Sequence, residues 1–332
     1  MGLRLAAALV LALAAPAGAE VLRLATFSPD LTRRGPGLLL QDLGREDAQI
    51  AAVVAVIAEA DADVLLLTGF DWDHEGRALA AFLARLEEAG TPYPHAIAGQ
   101  PNSGLRSGLD LDGDGRLGGG EDAQGYGRFA GVRGIVLLSR RPMTLARDLT
   151  TLLWADLPDN LMPAVTPEVA AAQRLSSTAH WHVQLPVGGE VVHLLTLSAT
   201  PPLFDRQGDR NARRNHDEVA LWLQAAPPAR WVVMGKINLD PEQGPGRREA
   251  LQTLLARSAD PQPQSEAGGP ATVDWGPDQD GNPRRQRVDY LLPSPDITVL
   301  GSGVIWPSDG ALADIVATAS RHRLVWMDIA IP

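Results

Sequence analysis

The sequence predicts a layered α/β fold, a two-sheet sandwich with its helices on the outside. Three observations carry that expectation. Short apolar runs of strand length, at residues 64–67 and 135–138, lack polar alternation and must be covered on both faces. Segments with apolar residues at helical spacing lie between such runs, the order that packs helices onto a sheet. A pair of strand-like segments joined by Gly188-Gly189 adds hairpins to the strand-helix-strand units.

In chain order, residues 21–27 read as a strand that stops at Ser28-Pro29-Asp30. Residues 48–59 carry a helical stripe, and 63–68 form a buried strand. Residues 77–89 are a helix whose apolar face is Leu79, Phe82, Leu83 and Leu86. Another buried strand lies within 131–139, and prolines at 142, 158, 163 and 167 make 140–180 irregular. Strands at 180–185 and 191–198, a helix at 215–224, a strand at 231–235 and a helix at 247–257 follow. The Pro/Gly/Gln-rich stretch 260–283 reads as a long surface loop, and strands at 288–292, 297–304 and 324–329 close the chain. Trp154, Trp181, Trp222, Trp231 and Trp326 stand in apolar contexts and read as core.

A short basic start, an apolar run at residues 5–15 and Ala17-Gly18-Ala19 together have the pattern of a cleaved leader over residues 1–19. The expected mature chain is therefore one exported domain over 20–332, periplasmic or secreted, with no membrane span. Without cysteine, disulfides, thiolate metal sites and a Cys nucleophile are excluded. The net charge of −11 argues against a non-specific nucleic-acid coat and leaves open nucleic-acid contact through a local basic groove. Among 29 basic residues only Lys236 is a lysine.

The strongest local motif is a calcium-type loop. Residues 110–121 place carboxylates at loop positions 1, 3 and 5 (Asp110, Asp112, Asp114), glycine at 6 (Gly115) and glutamate at 12 (Glu121). A hard dication needs six to eight oxygens around a tight turn. The three aspartates, the Arg116 carbonyl and Glu121 would supply them, with Asp122 an alternative last ligand because the glycine run blurs the register. The flanks lack helices, so the expectation is a structural Ca²⁺ staple over 110–122 rather than an opening sensor.

Chemistry-bearing pieces recur at strand ends: Ala25-Thr-Phe-Ser-Pro-Asp30, Leu67-Thr-Gly-Phe-Asp71, Leu197-Ser-Ala-Thr-Pro-Pro202, Gly235-Lys-Ile-Asn-Leu-Asp240, Arg287-Val-Asp-Tyr-Leu-Leu292 and Ser320-Arg-His-Arg323. Their order across nearly the whole mature chain resembles the endonuclease/exonuclease/phosphatase superfamily, and the segment Arg210–Glu218 is similar to a bacterial branch of it. The resemblance implies a four-layer α/β sandwich of two mixed sheets, and metal-dependent hydrolysis of phosphate esters with Mg²⁺ or another divalent cation. It implies that His322 is a general base or phosphate partner, that Asp289 holds it, and that Asn238 and Asp30 belong to the same site.

The chain also departs from the pattern. Where the family keeps an asparagine, a metal-binding glutamate, a histidine and two aspartates, this sequence has Ser28, Gly69, Ser198, Lys236 and Arg321. Asp71 and Asp73 are candidate substitute ligands. Lys236 and Arg321 are candidates to stabilise phosphate charge directly. Arg210, Arg213 and Arg214 with Asn215 and His216 form either an anion clamp or a solvated helix start. His180 and His182 share one strand face, a spacing open to a metal or to plain surface histidines. Two functions follow: an exported phosphoesterase of altered metal dependence acting on phosphate-ester or other anionic small molecules, or an inactive anion-binding protein on the same fold.

Overall fold

A computed structural model describes residues 18–205 and 208–332. All but the last two residues of the leader-like segment 1–19 lie outside the described residues. The order of elements is β1 (Glu20–Phe27), α1 (Leu38–Leu43), α2 (Ala48–Ala60), β2 (Val64–Phe70), α3 (Arg77–Glu88), β3 (His95–Ala98), β4 (Gly134–Ser139) and β5 (Thr144–Asp148). Then come α4 (Pro167–Ala170), β6 (His180–Val187), β7 (Glu190–Ser198), α5 (Arg210–Ala225), β8 (Trp231–Lys236) and α6 (Glu249–Arg257). β9 (Val273–Pro277), β10 (Pro283–Gln286), β11 (Asp289–Pro293), β12 (Thr298–Val304), α7 (Gly310–Ala319) and β13 (Val325–Ile331) complete the chain.

Two mixed sheets face each other, one ordered β12-β13-β1-β2-β4-β3 and the other β11-β8-β7-β6-β5. Each contains one parallel pair, β1/β2 and β7/β8, bridged by helical crossovers. A crossover needs a dozen or more residues and returns over one sheet face, which puts the helices outside.

Alternation along each strand divides its side chains between two cores. Leu22, Leu24, Val64 and Leu66 meet Val232, Met234, Leu194 and Trp181 between the sheets. Their neighbours Ala25, Phe27, Leu65 and Leu67 face out toward α2 and α3, packing on Val53, Ile57 and Phe82. On the other sheet, Leu195, Leu197, Val233 and Tyr290 pack outward on Val219, Trp222 and Leu251 of α5 and α6. This is the four-layer sandwich, and two-sided burial explains the unbroken apolar runs.

Several elements differ from expectation. β5 lies within the stretch read as irregular; it is an edge strand with all five residues exposed, so no apolar alternation marks it. β3, α1 and α7 also went without a sequence signal. The supposed loop 260–283 holds most of the β9–β10 hairpin, joined by Trp275 Nε1 donating to Gln286 Oε1 at 2.8 Å and by Arg285 with Asp274 at 3.0 Å. Trp154, Trp181, Trp222 and Trp231 are core, whereas Trp326 is half-buried beneath the Arg23 guanidinium.

Candidate active site

The parallel pairs aim their C-terminal ends at one end of the sandwich, where α/β proteins gather reactive groups. Register then sets the neighbours: Ser198 pairs with Lys236, and Lys236 with Asp289. Just before Lys236 the chain needs glycine. Gly235 has φ +134°, and a Cβ there would lie 2.0 Å from the Leu197 carbonyl oxygen. Opposite, Gly69 has φ +80° at an irregularity in the β2/β4 ladder and faces Ser28. An acidic side chain is thus missing there, and the backbone itself has a shape that disfavours one.

The centre is a hydrogen-bonded pair. His322 Nδ1 lies 2.8 Å from Asp289 Oδ2, and both residues are buried. Thr272 Oγ1 donates to the same carboxylate oxygen at 2.9 Å and accepts the Val288 and Asp289 amides. Asp289 Oδ1 is buried without a partner. With Nδ1–H donating to the carboxylate, His322 Nε2 carries the lone pair and can take a proton. Ser320 Oγ donates to the Ser28 carbonyl at 2.7 Å and accepts the His322 amide at 3.0 Å, tying β1 to the histidine. Asp30 Oδ2 stands 3.4 Å from the same hydroxyl. The Trp275 ring meets His322 edge-on, centroids 5.4 Å apart, and the exposed Arg321 places its guanidinium 5.7 Å from the Trp275 ring centre. Grooves of 430 and 420 Å³ flank Ser320 and Arg321, one reaching Trp275 and the other Asp30.

Lys236 Nζ donates to Ser28 Oγ at 3.3 Å, spanning the two sheets. Burial lowers its pKa, opposed by Asp289 and Asp30, with Arg133 pushing the same way as burial. Asn238 adopts φ 59° and donates to the Ala199 carbonyl at 2.6 Å, so it shapes the cleft floor. Lys236, Asp289, His322, Asp30 and Arg321 are therefore brought together.

The other candidates are placed elsewhere. Arg214 is fully buried, with Nε on the Leu175 carbonyl and Nη2 on the carbonyls of Gln124, Arg174 and Ser176; burial pushes its pKa down to about 10. Asn215 Nδ2 bonds the Thr200 and Ile237 carbonyls, and Arg213 pairs with Asp209 at 2.6 Å. Glu218 accepts the Ser177 and Thr200 amides. Arg214, Asn215 and Glu218 thus fasten two loops to α5; His216 Nδ1 lies 2.9 Å from Asp217 Oδ1, and Arg210 Nε and Nη2 are buried with no partner among the described residues. Asp71 and Asp73 do not reach the cleft as ligands either. Asp71 accepts from Thr32 Oγ1 and the Arg33 and Arg133 amides, and Asp73 caps α3 through the Arg77 and Ala78 amides. His180 is buried between Ser176 Oγ and the Glu218 carbonyl, while His182 Nε2 meets His193 Nδ1 at 2.8 Å.

In the acidic loop, Asp110, Asp112 and Asp122 bring one oxygen each within 4.8 Å of one another. Asp122, the alternative last ligand, joins this group and the exposed Glu121 does not. Asp110 accepts the Gly113, Asp114 and Gly115 amides, and Asp114 accepts the amide of the exposed Arg116. It is the one three-acid group among the described residues.

Sequence reasoning missed Thr272, Trp275 and Ser320. An isolated tryptophan in a stretch otherwise rich in Pro, Gly and Gln was the available signal.

The sequence model of the endonuclease/exonuclease/phosphatase family matches residues 38–322. The chain belongs to this family. Its fold is shared by the family protein from Beutenbergia cavernae DSM 12333, at TM-score 0.59 and 18% identity over 94% of this chain and 72% of that one. The family protein from Leptotrichia buccalis C-1013-b aligns at TM-score 0.54 and 14% identity, covering 92% and 98%. Sphingomyelinase C from Streptomyces griseocarneus aligns at TM-score 0.50 and 16% identity, covering 93% and 99%. No curated protein matches the chain significantly.

The family usually employs a divalent metal. The cleft offers such an ion a reduced set of carboxylates. Gly69 and Ser28 offer no charge, Asp289 Oδ2 is engaged by His322 and Thr272, which leaves Asp289 Oδ1 and Asp30, and Lys236 opposes a cation. At about 4 Å each unit of like charge costs ~4 kcal/mol at an intermediate dielectric.

Proposed function

We propose that this protein is an exported phosphoesterase of altered metal dependence, in which Asp289–His322 handles protons at a cleft that receives a phosphate ester. The observation that carries this reading is the buried Asp289–His322 pair with Nε2 uncommitted, beside the Lys236 ammonium. His322 Nε2 would take a proton from water as its oxygen bonds to phosphorus. The phosphorus–oxygen bond to the leaving alcohol then breaks, and the imidazolium returns the proton to that oxygen. Asp289 holds the ring and stabilises the imidazolium, while Lys236 and Arg321 face the phosphoryl oxygens. A neighbour of the same fold is a sphingomyelinase C, which agrees with an ester of phosphate as substrate. The net charge of −11 favours a small ester over a nucleic acid.

A second reading is an inactive anion binder, favoured by the missing carboxylate set. Hydrolysis of bis-p-nitrophenyl phosphate and p-nitrophenyl phosphate, in chelator and in Mg²⁺, Mn²⁺ or Ca²⁺, separates the two. Turnover that His322→Ala abolishes supports the enzyme; no turnover under any condition leaves the binder. The loop 110–122 is assigned a structural Ca²⁺ with Asp110, Asp112 and Asp122 as acidic ligands. Export is checked by mass spectrometry of protein from the extracytoplasmic fraction, where an N-terminus near Glu20 is expected.

A further inference from the structure

We infer that Lys236 takes the part of the metal: the cleft is a metal-independent site for a phosphate group, whether inorganic phosphate or the phosphoryl end of an ester. The inference deepens the proposed phosphoesterase reading and rests on it for the ligand class, but it concerns binding and stands apart from turnover.

Four observations lead there. An ammonium has three donors, and the single bond found for Lys236 is a long one to Ser28 Oγ at 3.3 Å. Among the described residues no carboxylate forms an ion pair with it, and Asp289 Oδ2 accepts from His322 and Thr272. Arg133 lies near enough to act on Lys236 electrostatically, and its backbone is held at φ 56° by the buried Asp71. Lys236 therefore stands between the two sheets with donors to offer, held by Ser28 of the facing sheet. Finally, the three-acid group that the described residues form lies at 110–122 and not in the cleft, where Gly69 and Ser28 supply no carboxylate. A fixed cation with uncommitted donors suits an oxyanion, for which lysine acts as a point charge.

The test is calorimetric titration of the full chain with inorganic phosphate, and with p-nitrophenyl phosphate on the His322→Ala protein. Each is run in chelator and in Mg²⁺. The expected result is saturable binding with a Kd that agrees within about twofold between the two buffers. Binding lost in chelator overturns the inference, and so does no binding in either buffer. Binding by the ester alone would assign the site to esters and exclude free phosphate. Lys236→Met should weaken binding at least about tenfold, whereas Arg213→Gln, whose side chain pairs with Asp209 outside the cleft, should not. If Lys236→Met fails to fold, the wild-type comparison of buffers still decides. Lys236→Asp is the reverse test: a carboxylate beside Asp289 should make phosphate binding depend on Mg²⁺. Failure of ester hydrolysis would sink the enzyme reading and leave these binding results unaffected.

Discussion

The cleft and the α5 cluster use the same residue types to opposite effect. Around α5, Arg214, Asn215 and Glu218 are buried, and apart from Asn215 Oδ1 their side chains bond backbone groups of residues 174–177 and Thr200, with further bonds to Gln124, Ile237 and the Ser177 hydroxyl. In the cleft, His322 Nε2, Asp289 Oδ1 and most of the Lys236 donors have no partner among the described residues. A charged group whose bonds all end on backbone holds a fold together; one with bonding capacity left at a strand end can act on a ligand. Hydrogen-bond accounting, rather than residue type, separates the two regions.

The largest effect expected is on chemistry. Asp289→Asn keeps an oxygen for Thr272 but loses the charge that orients His322, and should lower turnover by about 10²–10⁴-fold with little change in thermal stability. A large loss of stability instead would make the cleft pair structural and erase the contrast. Next, Arg214→Leu removes the guanidinium donor from the carbonyls of Leu175, Gln124 and Arg174, and from Ser176, which keeps Asn102, and it removes the cation beside Glu218. Urea unfolding should report a loss of about 3–5 kcal/mol. A value near zero would show the cluster to be dispensable.

Acid should act through the same region. Burial holds His180 at about 4, against 6.5 for the free side chain. Between those values the unfolded chain binds the extra proton, so stability falls as the pH drops through the window, by about 3 kcal/mol in all. Desolvation also lowers the pKa of His182 and His193, which adds in the same direction. Unfolding curves at neutral pH and near the lower limit measure the slope, and His180→Gln should flatten it.

The smallest effect concerns the acidic loop. Calcium at a hundredfold excess over its Kd would add about 2.7 kcal/mol. Chelator should lower the melting temperature, and Asp112→Ala should remove that response. A response that persists in the variant would move the ion elsewhere.

How far the sequence reaches can be traced residue by residue. Lys236, Asp289 and His322 stand out in the sequence because short motifs beside buried strands resemble those of the family, and the strands themselves are marked by local apolar runs. Thr272 and Trp275 were not, because they lie in a stretch whose composition says only loop; their roles arise where the hairpin packs on His322 and Asp289. Asp71 and Asp73 look like available carboxylates in sequence, yet backbone amides from residues 33, 77, 78 and 133 engage them. Asp122 entered the acidic group in place of Glu121 because the glycine run at 118–120 leaves the loop register to tertiary packing.

The sequence by itself determined the layered α/β architecture, the positions of its buried strands, the lone lysine at a strand end and the acidic spacing of one loop. These properties depend on neighbours a few residues apart, where period and turn chemistry operate. Only the tertiary structure decided which charged groups face the cleft and which are bound to backbone. That choice depends on contacts between residues dozens to hundreds of positions apart, such as Lys236 with Ser28 and Arg214 with Gln124, and local pattern carries no record of them.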